Sequence, residues 1–386
     1  MVRTPVLRRG ANSPIAPADP AAGRTASRAA RFSLLDGLRI CAATMVMLYH
    51  FTALDYRAHP WGRSVSKEFP RLWHVTAYGA LGVQLFFIIS GFVILMSSWG
   101  RTLPQFVASR VSRLYPAYWL ALGLSSLLLL VIWRSARHIT ASQLLVNTTM
   151  LQGSQRVSDV ESVYWTLWVE ICFYFLISLL VLVGITANRV MAFAALWPIA
   201  GAFAANSHSA LLVSVLQPQY APLFAGGMLL HLIYREGHST LPWLLVGMNV
   251  VLSIHATVDG MFHRIEVNTH HSLSKATCAV LLVIFFAAVA AVTLTRLRRI
   301  RWRWLTWAGI LTYPLYLIHE YWGLWLIHEL RPHLSTWPTL VLTMVAMLAL
   351  AWVIHQLAER PFHARLRRAI ERSLVKDARR TPIAQQ

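Results

Sequence analysis

The run Ala276-Thr277-Cys278-Ala279-Val280-Leu281-Leu282-Val283-Ile284-Phe285-Phe286-Ala287-Ala288-Val289-Ala290-Ala291-Val292-Thr293-Leu294 carries no charged side chain. Wound as an α-helix it covers about 28 Å, close to the roughly 30 Å of hydrocarbon in a bilayer. It marks the centre of a membrane span placed near 273–295. Working outward from it, nine more apolar stretches fall near 34–54, 78–98, 114–133, 163–184, 189–206, 219–235, 241–257, 305–328 and 338–357. The whole chain agrees with these local readings. Of its 386 residues, 56% are apolar and only 13% charged, and the mean hydropathy is +0.52. That is about half the charged share of a soluble domain, so disorder, a disulfide scaffold and an ordinary cytosolic enzyme are excluded. The fold class expected is an all-α polytopic transmembrane helix bundle of about ten spans.

Residues 1–31 are rich in Ala, Pro and Arg, have no apolar core, and read as a disordered basic arm rather than a secretory signal. Residues 32–362 form the membrane domain, and 363–386 a basic cytoplasmic tail. The net charge of +20 is mostly a topology signal. With the N-terminus inside and ten spans, inside segments carry 24 Lys and Arg and outside loops 9, while Arg39 and Lys275 fall within spans. This bias places both termini in the cytoplasm of a multi-pass protein of the inner cell membrane. The basic arm and tail face anionic lipid, and no nucleic-acid partner is needed to explain them. Cys41, Cys172 and Cys278 lie inside apolar runs without paired spacing and read as small buried hydrophobes.

An ionisable side chain in a membrane span is costly and is a functional candidate by default. The first span holds Asp36, Arg39 and His50, the fourth Glu170, and the ninth His319 and Glu320. Arg39 and His50 are eleven residues apart, about three helical turns, so they share a face some 16 Å apart along the axis. Counting from the outer ends of their helices puts His50 and Glu170 at similar depth, where a carboxylate would fix the imidazole tautomer and raise its basicity. On position alone, a structural hydrogen bond between helices is an equal reading. Arg110 and Arg113 form an i,i+3 pair if the segment after Pro104 is helical, suited to a phosphate-bearing ligand, although positive-inside charge explains them as well. Ser90 lies among the small residues Gly79, Gly82 and Gly91 and reads as a packing residue. No metal site is expected: the sixteen histidines show neither HxxxH nor HExxH spacing.

These residues lie in blocks that resemble the membrane-bound acyltransferase-3 family. Leu35-Asp36-Gly37-Leu38-Arg39 followed by His50 is similar to its opening signature, and 82–92, with Ser90, to its second-helix block. Arg110-Val111-Ser112-Arg113 is similar to its RxxR block, and Trp165-Thr166-Leu167-Trp168-Val169-Glu170 with Phe173-Tyr174 to its Trp-Ser-Leu…Glu block. Tyr313-Pro314-Leu315-Tyr316-Leu317-Ile318-His319 and Glu359-Arg360-Pro361 are similar to its closing blocks. Thr166 and Thr312 stand where Ser is usual, and 189–300 matches weakly. The resemblance implies transfer of an acyl group, often acetyl, from cytoplasmic acyl-CoA as co-substrate to a hydroxyl of a carbohydrate or glycoconjugate acceptor. In that reading His50 is general base or nucleophile and Glu170 its polarising partner. Arg39, Arg110 and Arg113 bind acyl-CoA, while Asp36, Ser90, Tyr313 and His319 support the site or line its acceptor side. No bound cofactor is expected. The few residues after Pro361 leave no room for the hydrolase-like domain of some members, so the chain is expected to complete transfer alone or with a partner. The rival readings are a proton-coupled transporter using the same His, Glu and Arg set, and a non-catalytic scaffold.

The charge bias makes a direct prediction. A reporter fused after Gln386 should give the cytoplasmic signal in a bacterial topology assay. A signal from the opposite side would mean that the span count is off by an odd number.

Overall fold

The computed structural model describes residues 32–56, 59–207, 209–260, 262–270 and 272–380, with the backbone alone at 264 and 374–380. The basic arm at 1–31 lies outside the described residues. Every regular element within them is helical. Ten long helices occupy the ten apolar stretches: α1 Ser33–Thr52, α2 Gly82–Ser98, α3 Leu103–Leu127, α4 Trp165–Val183, α5 Ala187–Ala205, α6 Ala221–Glu236, α7 Thr240–Gly260, α8 Lys275–Leu294, α9 Arg303–Leu330 and α10 Thr336–Ile354. An eleventh, α11, runs Arg360–Arg380, so the segment expected as a basic tail is largely helical, and it packs along α3. Eight of the ten lie in segments long and apolar enough to cross a membrane. The other two are α6, with 16 residues and mostly buried, and α9, whose middle stretch with its His and Glu side chains is buried.

Large apolar side chains such as Leu182, Leu196, Phe203, Val280 and Trp352 are exposed on the outside of the bundle. In water such a surface would aggregate, and in lipid it is the solvated face. Helices in lipid gain nothing from apolar burial against each other, so close approach and polar contacts must join them. The α2–α6 crossing shows the first device. A Cβ on Gly91 would strike the Phe224 carbonyl oxygen, and one on Gly227 the Ile88 carbonyl oxygen, so glycine on both helices brings the two backbones together.

The third helix begins earlier than the apolar pattern predicts, at Leu103 rather than near 114. Pro104 lies in its first turn, and the Thr102 N–H donates to Gln105 Oε1 at 3.2 Å. Both features start a helix. The consequence is that Arg110 and Arg113 sit about two to three turns inside α3 rather than in a loop.

At the opposite end, residues 53–56 and 59–81 fold over α1. Trp61 Nε1 donates to the Phe51 carbonyl at 2.8 Å, and Thr52 Oγ1 to Thr76 Oγ1 at 2.9 Å. The Glu68 side chain is fully buried and joins this cap to the α9–α10 connection. It accepts hydrogen bonds from Arg63 and Thr336 and pairs with Arg331 Nη2 at 3.2 Å. Burial pushes its carboxyl up, but the Thr336 and Arg63 hydrogen bonds and the Arg331 charge outweigh it and hold it below its usual range. The cluster therefore stabilises the fold above the unfolded pKa of about 4.3, and that contribution is lost as pH falls through the lower folded value. Glu68→Gln should cost about 1–3 kcal/mol at neutral pH, read as earlier thermal unfolding in detergent. The gap from wild type should close in acid. An equal gap at all pH values would show that the carboxylate charge is not what holds the cap.

Candidate active site

The packing of α1 on α9 brings together two histidines that lie 269 residues apart in the chain. His50 is 6% exposed and His319 1%. His50 Nδ1 lies 3.1 Å from His319 Nε2 and 2.8 Å from the Val46 carbonyl oxygen. His319 Nδ1 faces two carbonyl oxygens, Leu315 at 3.1 Å and Tyr316 at 2.9 Å. These partners assign the hydrogens. A nitrogen facing two acceptors carries the proton, so His319 is protonated on Nδ1 and its Nε2 offers a lone pair. His50 Nδ1 must then supply the hydrogen between the rings. That leaves the lone pair on His50 Nε2, which has no hydrogen-bond partner among the described residues. An imidazole tethered through one nitrogen and free at the other is arranged as a base or nucleophile.

A second layer lies toward the basic end. Arg110 is 7% exposed, and its guanidinium sits 5.8 Å from the ring centres of both Phe106 and Tyr174. Its Nη2 donates to Ser109 Oγ at 3.1 Å, while Nε and Nη1 have no hydrogen-bond partner among the described residues. The same holds for Arg39 Nε. Asp36, Arg113 and Glu170 lie within electrostatic reach of Arg39. Glu170 Oε1 accepts from the Tyr174 hydroxyl at 2.5 Å. Tyr313 donates to the Leu114 carbonyl at 3.1 Å and is in the field of Glu170. Buried donors on a cation without acceptors are costly, and they are what an anionic ligand would satisfy.

The expected partner of His50 was Glu170, and here the structure differs. The group that meets His50 is His319, and Glu170 belongs to the arginine layer. The depth estimate counted turns from the helix ends and took no account of the arginines. Because α3 starts at Leu103, Arg110 reaches the level of Glu170 instead. Ser90 is half-buried on α2 and hydrogen-bonds to neither layer. Tyr316 was missed as a site residue. Its hydroxyl meets Thr166 Oγ1 at 3.0 Å, and its ring lies 5.8 Å from that of His319. Among the described residues, no group of three or more His, Cys, Asp or Glu is arranged to hold a metal ion.

A helix bundle of long apolar helices around buried polar side chains is the architecture of a multi-pass membrane protein. The chain belongs to the acyltransferase-3 family: the family's sequence profile, described as an acyltransferase domain, matches residues 32–356. A 52-residue segment is 44% identical to the exopolysaccharide production protein ExoZ of Rhizobium meliloti (strain 1021). That segment is 13% of this chain and spans only 16% of the relative. No solved structure matches.

The hydrogen assignment is open to measurement. Nitrogen-15 spectra of histidine-labelled protein in detergent, with His50→Ala and His319→Ala for assignment, should show both rings carrying hydrogen on Nδ1. A His50 ring protonated on Nε2 alone would remove the free lone pair from the site.

Proposed function

We propose that this chain is an integral membrane O-acyltransferase that moves an acyl group, acetyl in the simplest case, from acyl-CoA to a hydroxyl of a carbohydrate or glycoconjugate. The observation that carries the reading is the His50 imidazole, tied at Nδ1 to His319 and free at Nε2. Family membership supports the acyl chemistry, and the ExoZ segment supports a polysaccharide-type acceptor.

The residues divide the work by layer. Arg110, Arg113 and Arg39 supply cations for the phosphates of the donor. Glu170, held by Tyr174, and Asp36 offset part of that positive charge, which makes Glu170 a positioning residue for the arginines. The thioester reaches past this layer toward His50. His50 Nε2 takes the proton of the acceptor hydroxyl as its oxygen attacks the thioester carbonyl. The tetrahedral intermediate collapses, the C–S bond breaks, and the proton passes from His50 to the leaving sulfur. The products are an ester and free CoA. His319 Nε2 keeps the His50 ring oriented throughout by accepting its Nδ1 hydrogen, and Tyr313 and Tyr316 line the space between the layers.

The experiment is acyl transfer from labelled acyl-CoA in membranes holding each variant at matched protein level. His50→Ala should lower turnover by about 10²–10⁴-fold, the usual effect of losing a general base. The Arg110→Ala and Arg113→Ala double variant should instead weaken apparent acyl-CoA affinity, by about ten- to over a hundredfold. Near-normal turnover in His50→Ala would make the histidine a packing residue and end this mechanism. Movement of a solute across the membrane without consumption of acyl-CoA would favour a transporter.

A further inference from the structure

The α3–α4 connection returns along the bundle instead of staying at its capped end. The far end of α3 lies there, where the Trp133 ring stacks on His328 of α9 at 5.8 Å. The chain then forms a short helix, Ala141–Asn147, and runs back beside α3. Three successive carbonyls of the connection are taken up by one stretch of that helix. The Tyr118 hydroxyl donates to Asn147 at 2.5 Å, Trp119 Nε1 to Thr148 at 2.9 Å, and the Tyr115 hydroxyl to Thr149 at 2.9 Å. Tyr115 follows Leu103, the start of α3, by twelve residues. Thr149 is therefore about 18 Å along that helix, well inside the roughly 30 Å of hydrocarbon. Irregular backbone is tolerated at such depth only where its polar groups are satisfied. Further on, the connection is fixed to the bundle. The Glu161 carboxylate accepts from Ser125 Oγ at 2.5 Å and from the Tyr321 N–H at 3.2 Å, and Ser162 Oγ donates to Glu320 Oε1 at 2.5 Å.

Between the connection and α3 lies an open groove of about 740 Å³, within the roughly 300–1,000 Å³ of ligand sites. One wall is the α3 face of Tyr115, Trp119, Gly123 and Ser126, and the other carries Leu144, Thr148, Thr149 and Leu151. Trp119 is 52% exposed and Leu151 39%, so the groove opens sideways, onto the lipid-facing surface. Gly123 supplies its room. A Cβ there would meet nothing within 4 Å, and the residue is helical rather than left-handed, so neither packing nor backbone conformation calls for glycine. Glycine inside a helix is destabilising relative to alanine. Every side-chain polar atom of the two walls is already bonded within the chain. Beside the Tyr115 and Trp119 donors, Ser126 Oγ donates to the Leu122 carbonyl at 2.6 Å, Thr148 Oγ1 to Leu145 at 2.6 Å and Thr149 Oγ1 to Val146 at 2.7 Å. The groove therefore offers a sugar or other polar ligand no partner, and suits a hydrocarbon.

We propose that this groove holds one acyl chain of a membrane phospholipid, with the lipid phosphate at Arg134. An empty groove at this depth would leave its walls without contacts on one side, and hydrocarbon is the solvent that reaches it. Its length selects the kind of chain. From Tyr115 to Ser126 is about 16 Å, close to half of the roughly 30 Å core. That is the reach of a chain rooted in one leaflet, and shorter than a long isoprenoid carrier lipid. Arg134 marks the mouth at the capped end. It is exposed, and its Nε donates to the carbonyl of Leu130, four residues past Ser126. A phosphate at the membrane surface pairs with such a cation. The chain fills the gap between α3 and the connection and holds the returning segment in place, as a neighbouring helix does elsewhere in the bundle. The proposal does not depend on the function argued above.

The test is photolabelling of the full chain in detergent, with one equivalent of phosphatidylglycerol carrying a diazirine at the end of one acyl chain. Peptide mapping should find the label concentrated around Tyr115 and Thr149, above the level at Phe203 and Val280, which are exposed on the outside of the bundle. Gly123→Phe puts a ring into the open space and should remove that excess, while Gly123→Ala leaves most of the room and should keep it. Label at Tyr115 and Thr149 no higher than at Phe203, or an excess that survives Gly123→Phe, overturns the site. A further arm needs no variant. Unlabelled phosphatidylglycerol should compete the excess away. Competition by a polyprenyl phosphate and not by the phospholipid would overturn the occupant and assign the groove to a carrier lipid. Arg134→Gln should weaken retention of the labelled lipid about fivefold, the effect of one cation near the membrane surface. Unchanged retention would overturn the place given to the phosphate.

Discussion

One hydrogen bond, from His50 Nδ1 to His319 Nε2, organises the interior of this protein. It ties the first long helix to the ninth at 3.1 Å, and it fixes the tautomer of both rings because the second nitrogen of His319 already faces two backbone carbonyls. Hydrogen-bonded polar groups hold helices together in lipid, where apolar burial contributes little. The same bond that joins α1 to α9 therefore leaves one nitrogen of His50 free. Structure and proposed chemistry share a single constraint, and neither ring can turn without breaking a contact of the other.

Around that bond the polar groups of the bundle are layered. Arginines with unpartnered N–H groups lie toward the basic end, carboxyls with few cationic partners lie toward the capped end, and the imidazoles stand between them. A buried charge is costly unless it is paired. In the arginine layer Asp36 and Glu170 offset only part of the positive charge. The arginines call for an anion from outside the chain.

The ten apolar stretches were legible because a helix in lipid must satisfy its backbone internally and show apolar side chains outward, a requirement that acts residue by residue along the chain. Each stretch is a helix in the structure, with boundaries shifted by a few residues except at α3. There the charged residues Arg110 and Arg113 ended the apolar pattern, but Pro104 and the Thr102–Gln105 contact had already started the helix. His50, Arg39, Glu170 and His319 were legible for a related reason: an ionisable residue in such a stretch stands out against its neighbours.

Sequence alone therefore determined that this chain is a membrane helix bundle, where its long apolar helices lie, and which ionisable side chains stand out within them. Which of those side chains meet was decided only by tertiary structure. Pairing His50 with His319 rather than with Glu170 depends on the axial register of α1 against α9 and of α3 against α4. That register is set by contacts between residues far apart in the chain, such as Gly323 receiving the ring of Phe51. Glu161 shows the same limit. It lies before α4, outside any apolar run, and reads as an ordinary loop carboxylate until the fold closes Ser125, Tyr321 and Glu320 around it.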